Sequence, residues 1–497
     1  MNWFAKNILL LHLIGLTVAL GWIHGGTRPE LLVGCVPWMT LMILEWLLVF
    51  PQAKNSETLA DARRRVWRAL VRDPLFYVTL LLSLTLIIPL FNVASAPYFD
   101  RTLQVWVNPK PPVTWLPYCV KPSHHAVLLL WFPPALVAAL ATKHGLLKKA
   151  KRALLEAICW NGAVLSFLGF LQIWSGTNKL LWLTPLEGYF FSTFGYPNFA
   201  GAFFTLVAAL SIGLWFHQVT EEHELAPFAV SSSDHDRHAI DTHRLLLPAV
   251  LNLLAAFASL SRAAILLGSI VLFVLAIYMV VFAWKRVSQG ARVTIAAIVA
   301  ALLFVATVSR VVFKLDEFKK EIRSITPDAV YERVTGTGYY HARVAKEMFK
   351  DHPVFGVGGW GYPIYIHQYM TPEDKKNMQI IGGVNVHNDS LQFLAEQGLV
   401  GYGLLVLAAL ILALPLVWQV WLIRRSLVRN QETEGNRAGL LGCIPAPLVA
   451  VWVGTTATVC HSFGDLPFRA PSVLVVWVLA FACVPGWLPA VDKKRSS

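Results

Sequence analysis

Charge is what this sequence has least of. Only 14% of its 497 residues are charged, where a soluble domain carries about a quarter. So few charges cannot clothe a water-exposed surface of this size. The 56% of residues that are hydrophobic gather into runs of about 20, the length that crosses a hydrocarbon core of roughly 30 Å. The runs are continuous rather than alternating, which excludes a membrane barrel. The expected fold class is all-α, a polytopic helical membrane protein.

Other absences narrow the chemistry. Six cysteines (Cys35, Cys119, Cys159, Cys443, Cys460, Cys483) form no CxxC pair, and most fall inside apolar runs as small packing residues. There is no GxxxxGK[ST], so no phosphate loop for ATP, and HExxH and GxSxG are absent. Gly356-Val357-Gly358-Gly359-Trp360-Gly361 spells GxGxxG, but no strand precedes it and no βαβ unit surrounds it, so it reads as a turn. His235, His238 and His243 lie in an acidic loop without a cysteine or spaced carboxylate to complete a ligand set. They read as solvated polar residues, and neither a metal nor a cofactor is expected.

Twelve spans are predicted, at about 8–24, 31–50, 75–96, 125–143, 154–173, 198–217, 245–261, 263–284, 293–309, 399–422, 440–460 and 471–489. The first reads as a retained signal-anchor. The net charge of +13 sits in short loops at span ends, which argues for membrane topology and against nucleic acid. With the N-terminus inside, the inner loops collect Arg63–Arg72, Lys143–Arg152, Arg424–Arg429 and the basic tail, while the outer loops keep only scattered cations. Both termini are then cytoplasmic, and one long outer loop, periplasmic if the membrane is a bacterial inner one, joins the ninth and tenth spans. The chain divides into N-terminal spans (1–190), a second membrane part (191–309), the long loop (310–398), and C-terminal spans with the tail (399–497).

Outer-face residues that could carry chemistry are few. Arg262 occupies the short link Leu260-Ser261-Arg262-Ala263, where snorkelling to headgroups and facing a ligand are both open. Arg343 borders a helical apolar stripe of Tyr340, Val344, Ala345 and Met348; by charge alone it reads as a solvated face residue. That helix should stop before Pro353. Arginine's planar fork nevertheless suits phosphate or pyrophosphate. Asp389 with Gln392 resembles a capping box, so a short helix should run from Asp389 to Gly398, with His387 just before it. A histidine there can exchange protons near neutrality, although a lone histidine is by default a hydrogen-bonded structural residue. Between the last two spans lie His461, Asp465 and Arg469, for which a structural Asp–Arg pair is the default.

These pieces together resemble the O-antigen ligase and O-antigen polymerase superfamily. Arg343 followed by Asp351-His352-Pro353-Val354-Phe355-Gly356-Val357-Gly358 is similar to its arginine helix and "hPl.G.G" turn. Val386-His387-Asn388-Asp389-Ser390-Leu391, continuing to Ala395-Glu396-Gln397-Gly398-Leu399-Val400-Gly401, is similar to its "HN..L...aE.G..G". Ser261-Arg262-Ala263, Gly195-Tyr196-Pro197-Asn198-Phe199-Ala200-Gly201 and the His461–Pro471 link resemble three further segments. The likeness is sharp over about 195–405 and looser beyond.

The resemblance implies a bacterial inner (plasma) membrane glycosyltransferase. Its donor would be a glycan on undecaprenyl diphosphate. Its acceptor would be a hydroxyl, in ligases that of the lipid A core. The reaction would be inverting and metal-independent, at the periplasmic face. Under the resemblance His387 is the catalytic base, Arg262 and Arg343 hold the donor diphosphate, and Asn198, Asn388, Asp389 and Arg469 bind substrate. Polymerases and protein O-oligosaccharyltransferases of the same superfamily are the alternative within the class. A transporter is the alternative outside it, weakened because the ionisable candidates Glu45 and Glu156 lie toward span ends.

Overall fold

The computed structural model describes residues 3–54, 57–186, 188–225, 243–286, 337–371, 385–434 and 444–487. The predicted span 293–309, the adjoining 310–336, His235, His238 and the basic tail lie outside these residues. What is described is mostly helical, with two small antiparallel hairpins, Tyr98–Asp100 with Val105–Val107 and Lys179–Leu180 with Thr184–Pro185.

Six helices are long and apolar enough to cross a membrane: Pro74–Phe91, Pro122–Gly145, Lys148–Ser175, Pro197–Thr220, Arg262–Phe282 and Asp389–Arg425. Each coincides with a predicted span. Four more predicted spans coincide with shorter apolar helices, Asn7–Trp22, Val36–Val49, Leu246–Ala258 and Pro471–Trp487.

The Pro197–Leu225 helix is the central shaft. The Leu246–Ala258, Ala446–Ser462, Arg262–Arg286 and Lys148–Ser175 helices pack around it. Small residues allow this closeness, as expected where lipid gives helices no hydrophobic reason to associate. A Cβ at Gly213 would collide with Ala450, and one at Gly454 would press on Ala209 at 2.9 Å. Buried polar groups add direction. Asn252 donates to the Cys159 carbonyl at 3.1 Å and accepts from Ser166 Oγ at 3.3 Å, joining the Leu246–Ala258 and Lys148–Ser175 helices. The Pro471–Cys483 helix is buried on every side, matching its unbroken apolar sequence.

The last feature that positions the site is a break. The Asp389–Glu434 helix is interrupted at Gly398, whose φ of 60° and ψ of −168° suit only glycine. The short helix predicted to end there does so. Such a break strands carbonyls behind it and amides ahead of it. The Pro353–Gly358 turn satisfies both sets. Val357 and Gly358 donate to the Ala395 and Glu396 carbonyls at 3.1 and 2.9 Å, and Leu399 and Val400 donate to the Pro353 and Val354 carbonyls at 2.8 and 3.1 Å. A Cβ on Gly356 would meet the Ala395 carbonyl oxygen at 2.6 Å. Gly356 and Gly398 are therefore the two sides of one docking joint.

Candidate functional site

His387 stands at the mouth of this joint. Its φ of 53° is left-handed, which costs a non-glycine residue about 1 kcal/mol or more, so its surroundings must hold it there. Asn388 does part of this. It caps the short helix by accepting from Leu391 N at 3.0 Å, and its amide donates to the Phe463 carbonyl at 3.1 Å. The cap is thus Asn388, not Asp389 as the sequence pattern indicated. Gln392 still reaches back in capping-box fashion, its Oε1 accepting from Val386 N at 2.9 Å. Asp389 is buried and turns to the last link, accepting from Phe468 N at 2.9 Å.

The partner of His387 is Asp465. The Nδ1 of His387 is buried and lies 3.6 Å from Asp465 Oδ1, while 38% of the histidine side chain stays exposed. That separation is an ion-pair distance, about half an ångström beyond a hydrogen bond. Asp465 Oδ2 accepts from Tyr196 OH at 2.9 Å and from the Asn198 amide, which also donates to Tyr196 OH at 2.9 Å. Asp465 Oδ1 accepts from Leu466 N at 2.8 Å. Burial pushes the Asp465 carboxyl up, but its interaction with the His387 ring, the charge of His461 and the Tyr196 hydroxyl outweigh this and hold it below its ordinary value.

The first turn of the Pro197–Leu225 helix thus carries Asn198 to the aspartate. One turn on, a Cβ at Gly201 would press on Ser261 at 2.7 Å and Ala264 at 2.5 Å. The link carrying Arg262 is therefore packed beside Asn198. Ser261 caps the following helix, accepting from Ala264 N at 3.3 Å, and Arg262 is exposed as its first residue. Arg343 lies half-buried on the Thr337–Asp351 helix, whose stripe of Tyr340, Val344, Ala345 and Met348 is buried as predicted. Its guanidinium sits 5.6 Å from the Tyr340 ring centroid and donates to the Tyr369 carbonyl at 3.5 Å.

Arg469 is elsewhere than the sequence indicated. It pairs with Glu396 at 2.6 Å, not with Asp465, and the two side chains are 2% and 0% exposed. Sequence reasoning passed over Tyr196 and took Asp465 for a structural partner of Arg469. Both stand inside segments already singled out, but nothing in their spacing ties them to His387.

An open groove of about 780 Å³ begins beside this cluster. Its head holds Asp389, Ser390 and Ser462. Its walls below are apolar, among them Ala409, Leu474 and Trp477. Among the described residues, no group of His, Cys, Asp and Glu is arranged to hold a metal ion. His243 accepts from Trp215 Nε1 at 3.3 Å.

Residues 247–406 match the family model described as O-antigen ligase. Over this segment the chain is similar to the O-antigen ligase superfamily, a likeness that supports a membrane glycosyltransferase of the ligase or polymerase type. No match was found among curated proteins. The matched segment contains Arg262, Arg343 and His387. Tyr196, Asn198 and Asp465, which complete the cluster, come from either side of it.

Proposed function

We propose that this protein transfers a glycan from an undecaprenyl-diphosphate carrier to a hydroxyl acceptor, as O-antigen ligases do with the lipid A core. In this reading the protein sits in the bacterial inner membrane, with both termini cytoplasmic and the His387 end facing the periplasm. The observation that carries it is the His387–Asp465 arrangement. One ring nitrogen is buried against a carboxylate that stays ionised, and the rest of the ring is open. This is how a general base is oriented.

The steps follow from bond polarity. The acceptor O–H gives its proton to the open side of His387, and Asp465 stabilises the imidazolium that forms. The freed oxygen attacks the anomeric carbon from the face opposite the diphosphate, inverting it. The carbon–oxygen bond to diphosphate breaks, and its electron pair leaves with the diphosphate. Arg262 and Arg343 supply positive charge for this leaving group. The bond to diphosphate is already activated, so no nucleotide is consumed. The apolar groove suits a hydrocarbon chain beside such a reaction. Glu156, a candidate for a transport site, is instead paired with Arg244 at 2.7 Å, which weighs against that alternative.

The test is a gel of surface glycans from a strain lacking this protein. Loss of glycan from lipid A with carrier-linked polymer retained supports ligation. Single-repeat products identify a polymerase. Unchanged glycans sink both. His387→Ala should abolish transfer while leaving the protein folded and inserted, and wild-type transfer by that variant would remove His387 from the mechanism.

A further inference from the structure

We infer that Arg469 and Glu396 are a positioning pair that sets the geometry of His387 and Asp465; the inference rests on His387 acting as the acceptor's base. The pair is sealed from water, so in this geometry neither residue can meet a substrate. Its value has to be sought in what it joins.

Three segments converge on it. Arg469 belongs to the link between the last two helices, four residues after Asp465. Glu396 belongs to the short helix that follows His387. The third is the glycine turn. Its Trp360 ring centroid lies 4.5 Å from the Arg469 guanidinium, with Phe393 at 5.3 Å on another side, and its Gly358 donates to the Glu396 carbonyl at 2.9 Å. Among the described residues, Arg469 Nε and Nη1 find no hydrogen-bond acceptor. One carboxylate and two ring faces are what compensate the buried charge.

From this pair a hydrogen-bonded relay runs to the catalytic residue. Arg469 donates to Glu396 Oε2 at 2.6 Å. Glu396 Oε1 accepts from Gln392 Nε2 at 3.1 Å, and Gln392 Oε1 accepts from Val386 N at 2.9 Å. Val386 is the residue before His387. On the other arm, Arg469 N donates to the Leu466 carbonyl at 3.0 Å, and Leu466 N donates to Asp465 Oδ1. Both halves of the dyad therefore hang from one buried contact. A buried ion pair adds little net stability compared with an apolar substitute, and its best-attested service is to fix register. Here the register is that of a left-handed histidine against an aspartate on a different segment.

The experiment compares Arg469→Gln, Glu396→Gln and the double variant in full-length protein. Each single variant should lower kcat about 100-fold, with the donor KM within about twofold of wild type. The double variant leaves no charge unpaired, so it should melt like wild type while kcat stays low. Hydrogen exchange reads the same joint without substrate. The amides of Val386, Asp389 and Phe468 should exchange faster in all three variants, with the Pro197–Leu225 helix unchanged. The inference is overturned by wild-type kcat in the double variant. It is also overturned by kcat losses that only track lost folded protein, or by wild-type exchange at those three amides. If the wild-type protein transfers no glycan, the functional reading fails, and the exchange result still decides whether the pair positions His387.

Discussion

His387 and Asp465 face each other at 3.6 Å from two segments separated in sequence by the Asp389–Glu434 and Ala446–Ser462 helices. The histidine arrives on a loop before a short helix, the aspartate on the link between the last two helices. Neither is held by its own element alone. Asp465 is fixed by Tyr196, Asn198 and its own Leu466 amide, and its carbonyl accepts from Asp389 N at 3.2 Å. The dyad is thus a product of tertiary docking, and its sensitivity to substitution should follow the docking contacts as well as the two residues themselves.

Asp465→Asn should lower kcat about 100-fold or more while leaving the donor KM close to wild type. The carboxylate orients and compensates the base but does not touch the donor. The same residue should leave a mark on acid stability. Its folded-state value lies below the ordinary 3.8. It therefore contributes stability above that pH, which is lost as pH falls through the lower folded value. Thermal melting between pH 3 and 6, about the span where carboxylates titrate, should show less acid sensitivity in Asp465→Asn than in wild type. Equal sensitivity would mean that Asp465 is not ionised in the fold.

Tyr196→Phe should have a smaller effect of the same kind. It removes one hydroxyl donor from Asp465 and one acceptor from Asn198, worth about 1 kcal/mol, or roughly fivefold in kcat. The ordering matters more than the size: steady-state turnover should rank wild type, Tyr196→Phe, then Asp465→Asn. A Tyr196→Phe defect as large as that of Asp465→Asn would show that the tyrosine itself meets the substrate.

The sequence shows the spans, the helix that stops before Pro353 and the break at Gly398, because each is dictated locally by apolar length, proline or glycine. His387, Arg262 and Arg343 were recognisable through their motifs. What stayed hidden is partner choice. Asp465 and Arg469 share one link, and their spacing favours pairing with each other. The approach of the short helix instead offers Glu396 to the arginine and His387 to the aspartate. The cap fell one residue early for a similar reason. Phe468 N claims the Asp389 carboxylate, leaving Asn388 to cap. Spacing along a chain cannot anticipate a competitor that arrives from 79 residues away.

Gly398→Ala should be among the most damaging single-methyl changes in the chain. The residue sits at φ 60° and ψ −168°, and an added Cβ would collide with the Val354 carbonyl and lie 2.5 Å from Phe355 N. Backbone strain and collision together should cost more than about 2 kcal/mol. Reduced yield of folded protein, a lower melting temperature and a matching loss of transfer are expected. A variant that melts like wild type would mean that the docking joint is not required by the fold.

Asp73→Ala should separate stability from activity. Asp73 caps the Pro74–Ile87 helix, accepting from Leu75 N at 3.0 Å, and it also receives His144 Nε2 at 2.6 Å and Lys143. Burial raises its carboxyl, but the hydrogen bonds from His144 and Lys143, with the Leu75 amide and the Lys143 charge, lower it to about 2. Because the folded value is the lower one, its stabilisation is complete above the ordinary 3.8 and disappears between there and about 2. Loss of the cap alone should cost about 1–2 kcal/mol near neutral pH. The other end of the same helix holds His125 through the Leu86 carbonyl at 3.0 Å, and His125 in turn accepts from Gly359 N at 2.8 Å. Asp73 therefore lies about 20 Å from the glycine turn, at 1.5 Å of rise per residue. Melting temperature should fall while kcat per folded molecule stays at the wild-type value. A fall in kcat with KM unchanged would show that the Pro74–Ile87 helix transmits its position to the site through His125.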